Sequence, residues 1–154
     1  MRILAIDPGS TQSAYVVYGV GGKRIINASI LDNKELTKRL KGGIYSDCHT
    51  LVGEMIASFG MAVGDSVFQT AFWLGVFVGA WDGPYALVKR HEVKMHLCHS
   101  MRAKDGNIRQ ALIDRFGPLP TKKAPNGNYP KRIAKDEWSA LAVAVTWADA
   151  EEGE

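Results

Sequence analysis

The chain contains few of the residues that define disulfide-rich, membrane-spanning or repetitive proteins. Its 154 residues include two cysteines, Cys48 and Cys98, which are too few and too isolated for a disulfide scaffold. The apolar run from Ser66 to Trp81 has sixteen uncharged residues, whereas a helix across a bilayer needs about 20. No signal peptide, repeat or linker is recognisable. We therefore expect one cytoplasmic domain over residues 1–150, an acidic tail at 151–154, and no membrane partner.

Positive charge is unevenly distributed along the chain. Residues 1–88 carry seven Lys/Arg and seven Asp/Glu, residues 89–132 carry eleven against three, and residues 133–154 carry one against six. A stretch with a net charge of +8 favours a surface that faces a phosphate backbone over a merely solvated region. The candidate DNA contacts within it are Lys89, Arg90, Lys94, Arg102, Lys104, Arg109, Lys122, Lys123, Lys131 and Arg132.

Hydrophobic patterning predicts an α/β domain with a three-stranded meander followed by alternating helices and strands. The predicted strands are Arg2–Asp7, Ser13–Val20, Lys23–Leu31, 50–54 and Tyr85–Val88. The predicted helices are Asn33–Lys41 with Asp32 as its cap, Val67–Trp81 capped by Asp65 and Ser66, Asn107–Phe116 and Asp136–Ala150.

The predicted Val67–Trp81 helix is apolar all round, so both of its sides should be buried. One side can cover the sheet, and the other side favours a partner subunit. We expect a homodimer through this helix, with burial inside a single chain as the alternative.

The first predicted strand delivers a carboxylate to a point where the chain must turn. Asp7 follows four apolar residues, Pro8 lacks an N–H donor, and Gly9 permits a tight turn. An aspartate in this place can hold a metal ion or a phosphate, or it can simply cap the turn.

Two further acids occupy similar places. Glu54 ends the fourth predicted strand, and Asp136 opens the last predicted helix, where it could also be a plain N-cap. If the first and fourth strands are neighbours, these carboxylates and Asp7 meet at one edge of the sheet. Their mutual repulsion then predicts divalent cations between them, and two Mg²⁺ ions about 3.5–4 Å apart would suit hydrolysis of a phosphodiester.

These motifs, in this order, resemble the RuvC-type Holliday junction resolvases of the RNase H-like superfamily. The resemblance covers nearly the whole chain, and the compact length is similar to the bacteriophage members. The segments that carry it are Ile6-Asp7-Pro8-Gly9-Ser10, Val52-Gly53-Glu54, Gly64-Asp65-Ser66 and residues 139–146, Ser-Ala-Leu-Ala-Val-Ala-Val-Thr.

The resemblance implies an RNase H-like fold with a five-stranded mixed sheet, in which three antiparallel strands precede parallel ones, flanked by helices. It implies a homodimer in a bacterial or phage-infected cell that nicks four-way DNA junctions symmetrically. Two Mg²⁺ ions per active site, with Mn²⁺ as a substitute, would support hydrolysis that leaves a 5′-phosphate and a 3′-hydroxyl.

The resemblance assigns metal ligation to Asp7, Glu54 and Asp136. It assigns Lys94 and Lys104 to contacts with DNA or to help near the scissile phosphate.

One departure from the family pattern concerns the last helix. The family carries two acids three residues apart, whereas this chain has Asp136 and then Ser139. Ser139 shares a helix face with Asp136 and could touch the metal site without adding charge. This departure leaves three alternatives. Three carboxylates are enough to hold the metal ions, Glu137 takes the place of the missing acid as a fallback ligand, or the site binds metal more weakly.

Two other functions remain as alternatives. Weak metal binding would favour a catalytically weak junction-binding protein of the same fold. A sugar-kinase or actin-type ATPase also places Asp-x-Gly-Ser after a first strand, but that architecture duplicates the domain, and 154 residues are too short for two copies.

Several residues outside this cluster have simpler interpretations. Asp149 is expected in a solvated tail, and Trp138 either packs in the core or stacks on a base. Phe59 and Met61 either pack in the core or wedge into a junction centre. Residues 118–132 are predicted to form a mobile basic loop.

Overall fold

The sheet is covered by helices on both faces. A computed structural model describes residues 1–57, 60 and 62–153, so Phe59 and Met61 lie outside the described residues. In chain order the elements are β1 (Arg2–Asp7), β2 (Gln12–Gly19), β3 (Arg24–Asp32), α1 (Asn33–Lys41), β4 (Thr50–Met55), α2 (Asp65–Ala80), β5 (Tyr85–Lys89), α3 (Arg90–Cys98), α4 (Asp105–Phe116) and α5 (Glu137–Glu151). Within the described ranges, no helix has the length and apolar character needed to cross a membrane.

The five strands lie in the order β3-β2-β1-β4-β5. β2 is antiparallel to both β1 and β3, whereas β4 is parallel to both β1 and β5. This arrangement confirms the predicted mixed sheet. Because β1 is central and covered on both faces, its side chains form a continuous apolar run instead of alternating with polar residues.

Each face of the sheet has its own apolar core. Ile3 and Ala5 face the core shared with α3, α4 and α5, whereas Leu4 and Ile6 face the core shared with α1 and α2. α5 is buried along nearly its whole length and packs on β1 and β2, and its alanines permit a close approach to the sheet. Since side chains alternate along a strand, Asp7 belongs to the α5 face.

Gly53 allows α2 to lie directly against β4. A Cβ atom at Gly53 would sit 2.5 Å from Leu74 Cδ1, well inside van der Waals contact. The absence of a side chain therefore sets the depth at which α2 packs, one residue before Glu54.

The helices differ from the sequence predictions in three places. α1 is confirmed, and the Asp32 carboxylate accepts a 2.9 Å hydrogen bond from the Lys34 N–H. α2 begins at Asp65, and its N-cap is Gly64, so the predicted side-chain cap was wrong. α3 was not predicted, because Val93 is its single buried residue and it therefore has little apolar pattern. α4 begins two residues before the predicted start.

The second side of α2 is not buried within one chain. Leu74 and Phe77 are buried, but Phe68 and Phe72, one turn apart, are 63% and 62% exposed. Intramolecular burial of the whole helix was therefore wrong for these two side chains.

Asp149 is not part of a solvated tail, so that expectation was wrong. It is 6% exposed and accepts two hydrogen bonds from Arg115, at 2.7 and 2.6 Å. His96 Nε2 lies 2.7 Å from the same carboxylate. Burial acts to raise the pKa of Asp149, but the Arg115 and His96 contacts outweigh it and hold the pKa below its usual value. The network ties α5 to α3 and α4.

Residues 118–132 are anchored to the end of α4 by hydrogen bonds. Asn128 Nδ2 donates to the Phe116 carbonyl at 2.7 Å, and the Tyr129 hydroxyl donates to the Gly117 carbonyl at 2.6 Å. Tyr129 is buried in the α5-side core. These contacts hold Asn128 and Tyr129 against the end of α4, so this part of the predicted mobile loop is anchored.

A buried hydrogen-bond network supports the turn after Asp7. The Ser13 hydroxyl accepts from the Gly9 N–H at 3.0 Å and donates to Asn33 Oδ1 at 2.6 Å. Asn33 Nδ2 donates to the Gly9 carbonyl at 2.9 Å. Both polar side chains are at most 2% exposed, so the start of α1 is fastened to the turn between β1 and β2.

Asn33→Ala tests this network. The substitution leaves the Gly9 carbonyl and the Ser13 hydroxyl without their buried partner, so we expect a loss of about 1–3 kcal/mol in the free energy of unfolding. Urea denaturation followed by circular dichroism measures it. Gln12→Ala, at an exposed position of β2, is the control and should cost less than about 0.5 kcal/mol. Equal losses in the two variants would contradict a structural role for the network.

Candidate active site

Parallel pairing of β1 with β4 brings two carboxylates together. Ile6 pairs with Gly53 in the register, so the next positions along the two strands are Asp7 and Glu54. Val52 faces the α5-side core, and therefore Glu54, two residues on, faces the same side as Asp7. Both side chains lie at the carboxyl ends of the strands, where open α/β sheets bind their ligands.

The third predicted acid comes from the helix that covers this face. Asp136 is the N-cap residue of α5, and its side chain makes no capping hydrogen bond. The simple N-cap alternative is therefore not realised. The charge of Asp136 raises the pKa of Asp7, so the carboxylates of Asp136 and Asp7 lie within electrostatic reach of each other.

Burial and like charge make Asp7 and Glu54 costly to ionise. Burial, followed by the charges of Glu54 and Asp136, raises the pKa of Asp7 to about 8, against the lowering effect of Arg90. Burial also raises the pKa of Glu54, although Arg90 again acts in the opposite direction. A cation placed between these carboxylates would favour their ionised forms.

Arg90 is the basic side chain closest to the acids. Its Nη1 lies 3.5 Å from Glu54 Oε2, and its Nη2 contacts Asp105 Oδ1. Glu54 Oε2 is buried and accepts no hydrogen bond from the described residues. Glu54 Oε2 can therefore bind a cation more strongly than it binds the Arg90 guanidinium.

A cavity of about 300 Å³ is lined by Asp136, whereas Asp7 and Glu54 are not among its lining residues. Asp136 and Ser139 form one wall from α5, so Ser139 does lie at the site although it adds no charge. Arg109 and Trp138 form another part, with Arg109 Cζ 5.4 Å from the centroid of the indole ring. Trp138 is 6% exposed, so its ring packs in the core and supports Arg109.

Both carboxylate oxygens of Glu137 already have partners within the chain. Glu137 is 2% exposed, with Oε2 at 2.5 Å from Lys131 Nζ and Oε1 accepting from the Ala134 N–H at 2.9 Å. These two contacts hold the segment before α5 in place. Glu137, the predicted fallback ligand, is therefore not free to bind a metal ion. Lys131, a predicted DNA contact, makes an intramolecular ion pair.

The predicted basic residues divide by position. Arg90 and Arg109 line the cavity, whereas Lys94 and Lys104 do not. Lys104 is the N-cap residue of α4, immediately before Asp105, and Lys94 is a half-buried residue of α3. The other predicted DNA contacts are exposed: Lys89, Arg102, Lys122, Lys123 and Arg132.

Two charged residues of the cavity wall, Asp105 and Lys135, were not predicted from the sequence. Asp105 contacts Arg90, and its charge raises the pKa of both Asp7 and Glu54. Lys135 precedes Asp136 and has a left-handed backbone with φ of 51°. The signal for Asp105 was its place as one of three acids in the basic stretch at 89–132.

The donor set suits a hard divalent cation. Asp7, Glu54 and Asp136 offer carboxylate oxygens, which Mg²⁺ prefers, and Glu54 Oε2 is a buried oxygen without a hydrogen bond. Across the described ranges, no three His, Cys, Asp or Glu side chains lie close enough to form a ready-made metal site. Binding would therefore require the carboxylates to draw together.

The fold is similar to that of solved RuvC structures. No protein-family model and no curated protein sequence matches the chain. Thermus thermophilus RuvC superposes with a TM-score of 0.73 at 17% identity, covering 99% of this chain and 97% of that chain. RuvC of the same organism in complex with a Holliday junction substrate gives a TM-score of 0.73 at 18% identity, covering 99% and 96%. The chain therefore shares the fold of RuvC.

The raised pKa of Asp7 predicts how stability depends on pH when a chelator is present. Between the usual pKa of 3.8 and about 8, the folded state holds a proton that the unfolded state has released. For this group, stability therefore rises as the pH falls from about 8 towards 5. Asp7→Asn should flatten this dependence and stabilise the protein at pH 8 by on the order of 1–3 kcal/mol.

Melting temperatures at pH 5, 6, 7 and 8 measure this effect. Asp47→Asn is the control, because Asp47 lies outside the cluster with a side chain that is 58% exposed. It should keep the pH dependence of the parent protein. The same slope in Asp7→Asn as in the parent would show that Asp7 has an ordinary pKa.

Proposed function

We propose that this protein is a Mg²⁺-dependent, structure-selective endodeoxyribonuclease that resolves Holliday junctions and other branched DNA by paired, symmetric nicks. The observation that carries the proposal is the position of Asp7 beside Glu54 at one edge of a RuvC-type fold, with Asp136 within electrostatic reach of Asp7. The cavity lined by Asp136 and the basic residues around it support DNA as the substrate.

Asp7, Glu54 and Asp136 would hold the metal ions through their carboxylate oxygens. Bound Mg²⁺ supplies a water activated for attack and a positive charge that stabilises the leaving oxygen of a phosphodiester. Mn²⁺ would substitute. The raised pKa of Asp7 and Glu54 is consistent with carboxylates that a cation must keep ionised.

The basic side chains would position the DNA. Arg109, supported by the Trp138 ring, presents its guanidinium at the cavity, where it can contact a phosphate near the scissile bond. Lys94 or Lys104 would stabilise charge that develops on the phosphate. The exposed cations at residues 89–132 would neutralise the arms of the junction and fix its register.

Paired nicks require two active sites, and the exposed face of α2 supports a homodimer. Phe68 and Phe72 are large exposed apolar side chains on this helix. Leu87 and Tyr85, on the same side of the edge strand β5, are also exposed. Together they form an apolar surface of the kind that subunit interfaces bury.

A catalytically weak junction-binding protein is the second candidate. Ser139 lies at the cavity where the family pattern has an acid, so the site contains one negative charge fewer. In that case the protein would bind junctions in the presence of Mg²⁺ without cutting them.

The experiment is a panel of linear, flapped, three-way and four-way DNAs incubated with the protein and Mg²⁺. We expect symmetric nicks in the four-way junction. Asp7→Asn should lower the nicking rate by roughly 100-fold or more while junction binding, measured by gel shift, remains. Asp47→Asn is the control and should cut at the parent rate.

Two results would contradict the assignment. Undiminished cutting by Asp7→Asn would exclude Asp7 from the catalytic machinery. Tight junction binding by the parent protein with no nicks at any Mg²⁺ concentration would favour the second candidate.

Phe72→Glu tests the dimer. A charge in the centre of the exposed face of α2 would be buried in the interface, so we expect the dimer to dissociate at micromolar concentration. Analytical ultracentrifugation measures this change, and Met95→Glu, at an exposed residue of α3, is the control. A parent protein that sediments as a monomer would contradict the α2 interface.

A further inference from the structure

We infer that Arg90 is a tethered counter-ion of the acid cluster, which a divalent metal ion displaces from Glu54. Asp105 is the anchor that keeps the displaced guanidinium at the cavity. This inference rests on the proposed metal-dependent function, and it adds a regulatory contact between α3, α4 and the metal-binding edge of the sheet.

Arg90 contacts two carboxylates in very different surroundings. The side chain of Glu54 is 13% exposed, whereas that of Asp105 is 89% exposed. The Arg90 guanidinium spans them from the first residue of α3 to the first residue of α4. One partner is therefore at the buried metal-binding edge, and the other faces solvent.

The contact with the buried partner is the looser one. The 3.5 Å distance from Nη1 to Glu54 Oε2 exceeds the 2.7–3.2 Å range of N–H···O hydrogen bonds. Glu54 Oε2 accordingly accepts no hydrogen bond from the described residues. A Mg²⁺ ion, which binds oxygen at about 2.0–2.1 Å and carries twice the charge, competes well for this oxygen.

An arginine cannot yield to a metal by losing its proton, because guanidinium remains charged at any ordinary pH. The Arg90 guanidinium must therefore move away from Glu54, and its contact with Asp105 can hold it after it has moved. Retaining Arg90 on Asp105 leaves Glu54 open while the positive charge stays beside Asp136 in the cavity wall. The side chain thus has two arrangements whose populations metal binding shifts.

The test is Mn²⁺ binding in the absence of DNA, measured by isothermal titration calorimetry. Arg90→Gln removes the competing charge, so we expect the apparent Kd for Mn²⁺ to fall about tenfold. Arg24→Gln is the control, because it removes an arginine charge at an exposed residue of β3, outside the acid cluster. Its Kd should change less than about threefold.

Unchanged or weaker Mn²⁺ binding by Arg90→Gln, with binding by the parent intact, would overturn the counter-ion role alone. A parent protein that binds no Mn²⁺ would overturn both this inference and the metal-dependent function. The two failures are therefore distinguishable.

Asp105→Asn provides a second test at an exposed residue. Without its anchor, Arg90 should stay on Glu54, so Mn²⁺ binding should weaken about threefold or more. In the Arg90→Gln background the same change should have little effect, since Asp105 acts through Arg90. An equal loss in both backgrounds would make Asp105 an independent contributor to metal affinity and would overturn its role as an anchor.

Discussion

The repulsion between two carboxylates on adjacent parallel strands is the constraint on which the rest of the site depends. The register of β1 against β4 fixes Asp7 beside Glu54, and the covering helices remove water that would screen them. The surrounding elements then supply compensating charge. α3 begins with Arg90, and α4 and α5 place further charged side chains around the same cavity.

The positions of these groups are set by elements with buried cores. Each acid lies at the end of a strand or the start of a helix, where the backbone is held but the side chain can reach a ligand. The Ser13–Asn33 network fixes the turn that follows Asp7, and the Asp149 network ties α3 and α4 to α5. The geometry of the site thus depends on buried polar contacts some distance away.

Local sequence determines much of this architecture. β1 and α5 are apolar runs with clear ends and α1 has a side-chain cap, so their sequences predict them locally. The positions of Asp7 and Glu54 at the ends of two strands likewise predict that these two acids lie side by side. The remaining parts depend on contacts between distant segments. Asp105 and Arg90 are fifteen residues apart, and no local pattern reveals that they meet. Asp149 has acidic neighbours that suggest solvent, whereas its burial depends on Arg115 of another helix.

Gly53 joins the two halves of this molecule mechanically. α2, which carries Phe68 and Phe72, packs through Leu74 directly against the β4 backbone, because Gly53 has no side chain. The next residue along the strand is Glu54. The packing of α2 against β4 therefore lies one residue from the buried carboxylate of Glu54. A side chain at position 53 would therefore shift α2, with its exposed Phe68 and Phe72, and would disturb the strand end that carries Glu54.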